Sequence, residues 1–251
     1  MDLYDTIAAR LYEAERTGEP ISPVRGEIGE RDLESAYRVQ ERLVRKHVAE
    51  GARAAGWKVG VSSPAALEAF AMDEPVSGVL LAENRVRDGG VITADGLSAP
   101  RVEVEVALVL AEDLSAPRSV AEAAAAVDYA VPALEVVDSR FRWDVAIADL
   151  VADNTAACRY VLGSDPRKLG EVDVAGVRTS LSRDGVEVST GSGADTAGSP
   201  LNALFWLAGR RDLKAGEVVL TGALGTVVPV ERGGAFRAEV SGLGGVSVSF
   251  A

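Results

Sequence analysis

The sequence predicts a mixed α/β protein in which helices occupy the N-terminal end and mostly antiparallel strands follow. Three patterns point to this class. Apolar residues recur at helical spacing through residues 30–50. Valines alternate with glutamates from Val102 to Val106, which is the two-residue period of a strand. Asp184-Gly185 lies between two short strand-like runs, which is typical of a hairpin turn.

Two helices are predicted before residue 56. The first covers residues 2–16, where Asp2 is a suitable N-cap and Gly18 a suitable stop. The second covers residues 30–50 and ends at Gly51, and residues 21–29 between the two helices are predicted to be a loop. We therefore expect residues 1–55 to form a helical extension. It would pack on a main domain of residues 56–251 or on a partner subunit.

Residues 56–73 place three polar side chains near apolar segments. Lys58 lies between apolar residues and glycines, so it either reaches solvent from a strand end or meets an anionic substrate. Ser62 begins a Ser-Ser-Pro sequence that predicts the start of a short helix through residue 70. Asp73 follows in a turn-rich segment, where it is either a turn residue or an active-site acid or base.

Residues 100–110 form the central strand of the prediction. The side chains of Glu103 and Glu105 leave the same face of this strand, roughly 6–7 Å apart. Residues 107–110 are apolar on both faces, so the strand is expected to be buried. Two like charges beside a buried strand repel each other and are costly to desolvate, and a divalent cation would relieve both effects. The alternative is an edge strand with two solvated glutamates.

A third glutamate favours the metal site. Glu135 lies within the apolar run of residues 131–137, where an ionised carboxylate needs a partner. Three carboxylates, with water and substrate oxygens, are enough for an octahedral site. The chain has one histidine and one cysteine, so a zinc or soft-metal site is not expected. Mg²⁺ or Mn²⁺ is therefore the predicted cofactor.

The segment after the Glu135 strand combines charges with Phe141 and Trp143. Residues 138–149 therefore predict an irregular segment or a lid near the site. Asp153 and Asn154 then precede a strand over residues 155–162. These two side chains either orient water or substrate, or cap and turn the chain.

The last ninety residues predict antiparallel strands around one helix. Ser199 is the expected N-cap of that helix and Pro200 its first residue. Backbone amides of the glycine-containing loop 221–225 are placed where they can approach a ligand oxygen. The strands are predicted over residues 177–182, 186–190, 217–220, 227–230, 235–240 and 245–250.

Composition limits the possible functions. The net charge of −12, without a basic block, argues against nucleic acid as a partner. No apolar run reaches the roughly 18 residues that a membrane span needs, and no signal peptide is recognisable. A single cysteine excludes an internal disulfide and fits a reducing cytoplasm, which is the expected location.

Five motifs together resemble the 2-keto-4-pentenoate hydratases of the fumarylacetoacetate hydrolase superfamily. They are Gly-Trp-Lys58-Val-Gly, Glu103-Val-Glu105, Pro-Ala-Leu-Glu135-Val-Val-Asp-Ser-Arg, Val-Ala-Asp153-Asn154 and Leu-Thr-Gly222-Ala-Leu-Gly. The resemblance runs from Gly56 to the C-terminus, and the N-terminal helices also fit. The chain departs from it at Gly198-Ser199-Pro200, where these hydratases tend to have Gly-His-Pro.

The resemblance implies a rolled, largely antiparallel β-sheet core that carries the active site. It also implies that the three glutamates hold Mg²⁺ or Mn²⁺, which acts as a Lewis acid on a 2-hydroxy-2,4-dienoate. Water addition would give a 4-hydroxy-2-oxo acid, as in the meta-cleavage catabolism of aromatic or steroid rings. The implied catalytic residues are Lys58, Asp73, Asp153 and Asn154, and the implied substrate contacts are Ser62, Gly222, Ala223 and Leu224.

Two alternatives stay open on this resemblance. Another metal-dependent enzyme of the superfamily, such as a 4-oxalocrotonate-type decarboxylase or a β-diketone hydrolase, would use the same residues. A non-catalytic partner subunit is the other possibility, although the intact glutamates and Lys58 argue against it. A homo-oligomer is expected, with possible association with a downstream aldolase or decarboxylase.

Overall fold

The computed structural model describes residues 2–230 and 233–251. The N-terminal helices form where the sequence predicts them, because each begins at an aspartate that accepts a hydrogen bond from the first turn. Gly18 ends the first helix with a left-handed backbone, at φ 73°. The helices are α1 (Leu3–Thr17), α2 (Arg25–Ile28), α3 (Leu33–Ala49), α4 (Pro64–Ala69), α5 (Val120–Ala125), α6 (Ile147–Ala152) and α7 (Pro200–Ala208).

Thirteen strands lie in two sheets within the described residues. They are β1 (Ala54–Gly60), β2 (Val76–Leu81), β3 (Arg85–Val86), β4 (Gly90–Ile92), β5 (Arg101–Leu110), β6 (Val127–Val137), β7 (Ala157–Leu162), β8 (Arg178–Arg183), β9 (Val186–Ser192), β10 (Val218–Leu220), β11 (Val228–Pro229), β12 (Ala235–Val240) and β13 (Gly244–Phe250). The larger sheet has the order β2-β1-β10-β5-β6-β7-β3, with β11 also paired to β5, and the smaller sheet has the order β4-β13-β12-β8-β9.

Most strand pairs are antiparallel. In the described residues the parallel pairs are β1 with β10, β3 with β7 and β4 with β13. The predicted mixed α/β class and the rolled, largely antiparallel sheet are therefore confirmed. The Asp184-Gly185 hairpin is confirmed as well, since it joins β8 to β9.

The two faces of β5 have different surroundings. Val104 and Leu108 face the main core between the two sheets, where they meet Leu204 of α7 and Phe236 of β12. The alternate residues Glu103, Glu105, Ala107 and Val109 face the other side of the sheet. The two-residue period of the strand thus directs the valines into the core and the carboxylates into a separate region.

The N-terminal helices are joined to the site region by a second core. Ile7 and Leu11 of α1 and Leu43 of α3 pack in one cluster with Ile147 and Val151 of α6. Two helices of this region, α2 and α6, were not predicted. Helix α2 forms within residues 21–29, which were expected to be a loop. Helix α6 begins within the expected irregular segment of residues 138–149 and extends beyond it. None of the described helices is long and apolar enough to cross a membrane.

Candidate active site

The three glutamates meet on one face of the larger sheet. Glu103 of β5 lies directly opposite Glu135 of β6 in the antiparallel register, and Glu105 is two residues further along β5. One carboxylate oxygen from each residue lies within 4.8 Å of the others. Glu105 and Glu135 are fully buried, and Glu103 is partly buried. The predicted cluster is therefore formed by two neighbouring strands.

The electrostatics of this cluster are unfavourable without a cation. Burial raises the pKa of Glu103 to about 7. Burial, together with the charges of Glu135 and Glu103, raises the pKa of Glu105 well above its usual value. Within the described residues, Oε1 of Glu105 and Oε1 of Glu135 are buried and accept no hydrogen bond. Three closely spaced hard oxygen donors with unsatisfied lone pairs fit a divalent cation such as Mg²⁺.

Lys58 is the cation that the structure itself places at this cluster. Its Nζ lies 2.9 Å from Oε2 of Glu135 and donates a hydrogen bond to the carbonyl oxygen of Thr155 at 3.1 Å. Only 3% of the residue is exposed. Burial alone would lower the pKa of Lys58, but the three glutamates outweigh that effect and raise it. Lys58 is thus a buried ammonium group beside the carboxylates and not a lysine that reaches solvent.

The turn that receives Lys58 is held in an unusual backbone conformation. Asn154, Thr155 and Ala156 have φ values of 49°, 53° and 56°, in the left-handed region that residues with a Cβ rarely adopt. The amide of Asn154 accepts from the backbone N–H of Val79 at 2.8 Å and donates to the carbonyl of Val79 at 2.9 Å. The side chain of Asn154 therefore faces the backbone of β2 and attaches the turn to that strand. In this way it holds the Thr155 carbonyl in the position where it accepts from Lys58.

Asp153 is not part of the glutamate cluster. Its carboxylate forms a buried ion pair with Arg140, and it accepts a hydrogen bond from the backbone N–H of Arg140 at 3.0 Å. Burial raises the pKa of Asp153 to about 7, against the opposing effect of Arg140. The structure thus places Asp153 in a buried pair behind the site, and it is not among the residues that line the cavity described below.

Asp73 is also separate from the glutamates. It is exposed in the segment between α4 and β2 and does not line the cavity. An acid or base must come within hydrogen-bond distance of the reacting atoms. The structure therefore does not place Asp73 at the active site, where it would act as an acid or base. Its position fits the alternative, a residue in the turn before β2.

The loop 221–225 closes one side of the glutamate cluster. The backbone N–H of Gly222 donates to Oε2 of Glu105 at 2.7 Å. A Cβ on Gly222 would lie 2.0 Å from Oγ of Ser62, and φ is +106°, so only glycine fits here. Ser62 and Ala223 line the cavity, as expected of substrate contacts. The side chain of Leu224 is buried in the main core instead. Its backbone N–H donates to the carbonyl of Val104 at 2.8 Å, which holds the residue beside a core-facing position of β5.

A cavity of about 860 Å³ opens over these residues. Lys58, Glu103 and Ser62 line it, and Arg25, Glu30, Arg31, Arg101 and Asp144 add further charged groups to the lining. The apolar part of the lining consists of Val59, Val61, Phe70, Val137, Val145, Ile147, Leu150 and Val227. A molecule that combines an anionic group with an apolar part would match this lining.

Three residues of this cavity were not identified as site residues from sequence. Thr155 gives no sequence signal, because its contribution is a main-chain carbonyl in a strained turn. Trp143 was noted only as part of the expected lid segment, and it does line the cavity. Arg101 could have been identified from the sequence. It lies two residues before Glu103 on β5, so the strand period places it on the same face as both glutamates.

Comparison with known proteins gives a consistent result. The family model for the C-terminal domain of fumarylacetoacetate hydrolase matches residues 45–250. The chain is 42% identical over 248 residues to the TodF product hydratase of Pseudomonas putida F1, covering 96% of this chain and 92% of the relative. It is 41% identical over 254 residues to 2-keto-4-pentenoate hydratase 1 of Dechloromonas aromatica, covering 98% of this chain and 97% of the relative.

A solved structure extends this similarity to the whole fold. The 4-oxalocrotonate decarboxylase from Pseudomonas putida G7, complexed with magnesium and adipate, superposes with a TM-score of 0.95 at 30% identity. The superposition covers 99% of this chain and 97% of that chain, so it includes the N-terminal helices and both sheets. The chain therefore belongs to the fumarylacetoacetate hydrolase family, and its curated relatives group it with the 2-keto-4-pentenoate hydratases.

Proposed function

We propose that this protein is a metal-dependent hydro-lyase that adds water to a 2-hydroxy-2,4-dienoate and forms a 4-hydroxy-2-oxo acid. The reaction would belong to the meta-cleavage catabolism of aromatic or steroid rings. The single observation that carries the proposal is the buried set of three glutamates with Lys58 beside a cavity that has both charged and apolar lining residues. The names of relatives that are about 40% identical over nearly the full chain support it.

Glu103, Glu105 and Glu135 would hold the metal, for which we propose Mg²⁺ or Mn²⁺. Their carboxylate oxygens are hard donors, and the Oε1 atoms of Glu105 and Glu135 have no other partner in the described residues. A divalent cation bound there supplies Lewis acidity toward the 2-oxo group of the substrate. Gly222 keeps Glu105 in place through its backbone N–H.

Lys58 would stabilise the negative charge that develops on the substrate oxygen, or carry a proton at Nζ. Its ammonium is held between Glu135 and the Thr155 carbonyl, so it is oriented before the substrate arrives. Ser62 and Ala223 would contact the substrate, because both line the cavity beside Lys58. Asn154 contributes by fixing the turn that holds Lys58. Asp73, Asp153 and Leu224 have no part in this mechanism.

A decarboxylase is the second candidate, because the structural relative with a TM-score of 0.95 is a 4-oxalocrotonate decarboxylase. Purified protein with Mg²⁺ should convert 2-hydroxypenta-2,4-dienoate into a product heavier by one water. Incubation with 4-oxalocrotonate should release little carbon dioxide. The proposal fails if mass spectrometry shows decarboxylation of 4-oxalocrotonate and no hydrated product from the dienoate.

The metal site is tested by Glu135→Gln. This substitution removes one negative charge with almost no change in volume, so we expect loss of Mg²⁺ binding and of activity with the fold retained. Glu112→Gln is the matched control, since Glu112 is exposed beyond the end of β5 and does not line the cavity. Calorimetric Mg²⁺ titration and steady-state rates measure both effects. Normal turnover of Glu135→Gln in chelator-treated buffer would contradict the assignment.

Assembly and location complete the proposal. We infer that the protein acts as a homo-oligomer in the cytoplasm, and that a downstream aldolase or decarboxylase is a possible partner. The net charge of −12 and the absence of a basic block support a small-molecule substrate over nucleic acid.

A further inference from the structure

A series of hydrogen bonds connects Ser62, at the cavity surface, to β5. Oγ1 of Thr196 lies 2.8 Å from Oγ of Ser62 and 2.6 Å from the carbonyl oxygen of Thr221. The hydroxyl of Thr221 in turn donates to the carbonyl of Val106 at 2.8 Å. Thr196 and Thr221 are fully buried, whereas Ser62 is 4% exposed and lines the cavity. The hydroxyl of Thr196 is thus enclosed directly behind that of Ser62.

The direction of these hydrogen bonds follows from the number of protons. A threonine hydroxyl has one proton, and a carbonyl oxygen has none. Two oxygens 2.6 Å apart need a proton between them, so the Thr196 proton points toward the Thr221 carbonyl. The bond between Thr196 and Ser62 must then use the proton of the Ser62 hydroxyl. Ser62 Oγ therefore offers only lone pairs to a ligand in the cavity.

Ser62 is also held beside the glutamate cluster. Its carbonyl accepts from the backbone N–H of Ala197 at 2.9 Å. A Cβ on Gly222 would lie 2.0 Å from Ser62 Oγ and 2.7 Å from Thr196 Oγ1, so both hydroxyls pack directly against the Gly222 backbone. The N–H of Gly222 is the group that donates to Glu105. An acceptor oxygen is therefore fixed next to the residue that supports the cluster.

We propose that Ser62 accepts a hydrogen bond from the water molecule that adds to the substrate, and that Thr196 is the positioning residue that sets this polarity. The inference rests on the proposed function. A group that faces Ser62 must bring a proton, because the Ser62 proton is directed to Thr196. A carboxylate or an oxo group of a ligand does not meet this requirement, whereas water or a hydroxyl group does.

The chemistry of the proposed reaction identifies the donor as water. Loss of the 2-hydroxyl proton and protonation of C5 convert a 2-hydroxy-2,4-dienoate into a 2-oxo-3-enoate, in which every oxygen is an acceptor. Water then forms a bond from its oxygen to C4 and releases one proton, and C3 takes up one proton. The second proton of the water stays on the oxygen and becomes the 4-hydroxyl proton. Of the two reactants, only the water can therefore donate to Ser62.

Binding of two acids to the Mg²⁺-loaded protein, measured by calorimetry, tests the acceptor role of Ser62. 4-Hydroxy-2-oxopentanoate carries the hydroxyl group that the added water becomes, and 2-oxopentanoate lacks it. We expect Ser62→Ala to weaken binding of the hydroxy acid roughly 3- to 10-fold, the range for one lost uncharged hydrogen bond. Binding of 2-oxopentanoate should stay at the wild-type value.

Thr196→Val tests the positioning role, because it removes the hydroxyl with little change in shape. Hydration should slow roughly 10- to 100-fold, as for a misplaced reactant. Protonation of C5, followed by NMR as deuterium incorporation in heavy water, should keep its wild-type rate. Thr196→Ser retains a hydroxyl and should restore hydration. In a Ser62→Ala background, Thr196→Val should have no further effect on hydration, because Thr196 acts through Ser62.

Thr179→Val is the matched control for the loss of a buried hydroxyl. Thr179 is buried and does not line the cavity, and its hydroxyl donates to the carbonyl of Leu224 at 3.3 Å. This carbonyl belongs to the same loop as that of Thr221, which Thr196 contacts. Thr179→Val should lower the melting temperature, but the hydration rate and the affinity difference between the two acids should remain those of the wild type.

The outcomes separate the roles. If Ser62→Ala binds the hydroxy acid as tightly as the wild type, Ser62 does not accept from this group. If Thr196→Val slows C5 protonation and hydration equally, or has the same effect with and without Ser62, Thr196 has only a structural role. A wild type that forms no hydrated product would overturn the proposed function, whereas the affinity difference between the two acids decides the acceptor role of Ser62 by itself.

Discussion

Lys58 shows how a single residue acquires its properties from its surroundings. The segment that contains it allows two interpretations in sequence, a lysine that extends to solvent and a lysine that meets an anionic substrate. The structure contradicts the first, because Nζ is 2.9 Å from Glu135 and only 3% of the residue is exposed. The contact with an anionic substrate stays a prediction. An ammonium fixed in this way interacts more strongly with a developing oxyanion than with the neutral group that precedes it.

Lys58→Met is predicted to lower kcat by roughly 10²–10³, the usual effect of removing one preorganised electrostatic contact. Metal affinity should not decrease, since the substitution removes a positive charge from beside the metal ligands. Steady-state kinetics and a Mg²⁺ titration measure the two quantities. Lys58→Arg should rescue the rate poorly, because the larger planar group replaces an ammonium in a site that is 3% exposed.

The matched control for this prediction is Lys168→Met. Lys168 is exposed and paired with Asp128, far from the glutamates in the chain. Its kcat should be that of the wild type. If Lys58→Met also retains a near-normal kcat, Lys58 serves only to balance the buried charge and has no catalytic role.

Elements, not single residues, bring the site together. β5 and β6 supply the glutamates, β1 supplies Lys58, and the turn of residues 154–156 holds Lys58 in place. Each left-handed residue in that turn costs on the order of 1–3 kcal/mol. The hydrogen bonds from Asn154 to Val79 and from Thr155 to Ser77 help to offset this cost. The turn therefore depends on its contacts with β2.

Asn154→Ala is predicted to reduce the free energy of unfolding by about 2–4 kcal/mol. The substitution leaves the buried N–H and C=O of Val79 unsatisfied, and alanine tolerates a positive φ less well than asparagine. Activity should fall as well, because the Thr155 carbonyl loses its fixed position. Urea unfolding followed by circular dichroism measures the stability change.

Asn202→Ala is the control at this scale. The Asn202 amide is exposed and donates one hydrogen bond, to the carbonyl of Ala197. The expected loss is below 1 kcal/mol, as for other exposed bonds. Equal losses in the two variants would show that the Val79 contacts do not stabilise the turn.

Strand periodicity was enough to predict the glutamate cluster, because each glutamate is placed by the pattern of residues next to it in the sequence. Alternation placed Glu103 and Glu105 on one face, and the apolar run around Glu135 placed that residue in a buried strand. The role of Asp153 could not be predicted, because its partner Arg140 lies 13 residues away across an irregular segment and α6. The burial of the Leu224 side chain could not be predicted for a related reason, since a loop has no period that tells which side chains turn toward the core.

At the scale of the whole molecule, the N-terminal helices and the strand-rich part share one core. Leu11 and Leu43 from the helices pack with Ile147 of α6, and Ile147 also lines the cavity. Residues 1–55 therefore help to support the cavity wall. The boundary at residue 56 between an extension and a catalytic domain stays a prediction.

The sequence indicates two surfaces for the predicted homo-oligomer, the apolar stripe of residues 30–50 and the short strands near the C-terminus. On α3, Ala36, Val39 and Leu43 pack inside the chain, whereas Val48 is 48% exposed. Val186 and Val188 remain 67% and 40% exposed on β9, the outer strand of the smaller sheet. In the described residues, the other edge of β9 has no strand beside it. A second copy could continue the sheet there about a two-fold axis.

Light scattering is therefore predicted to give at least twice the chain mass of 26.1 kDa. Val188→Lys should shift the mass toward the monomer with little change in melting temperature, because a charge on an edge strand opposes pairing and this side chain is exposed. Val91→Lys, which changes an exposed valine on β4 at the opposite edge of the same sheet, should keep the wild-type mass. A monomeric wild type would refute the oligomer. An oligomer that survives Val188→Lys, or dissociates equally with Val91→Lys, would place the contact away from β9.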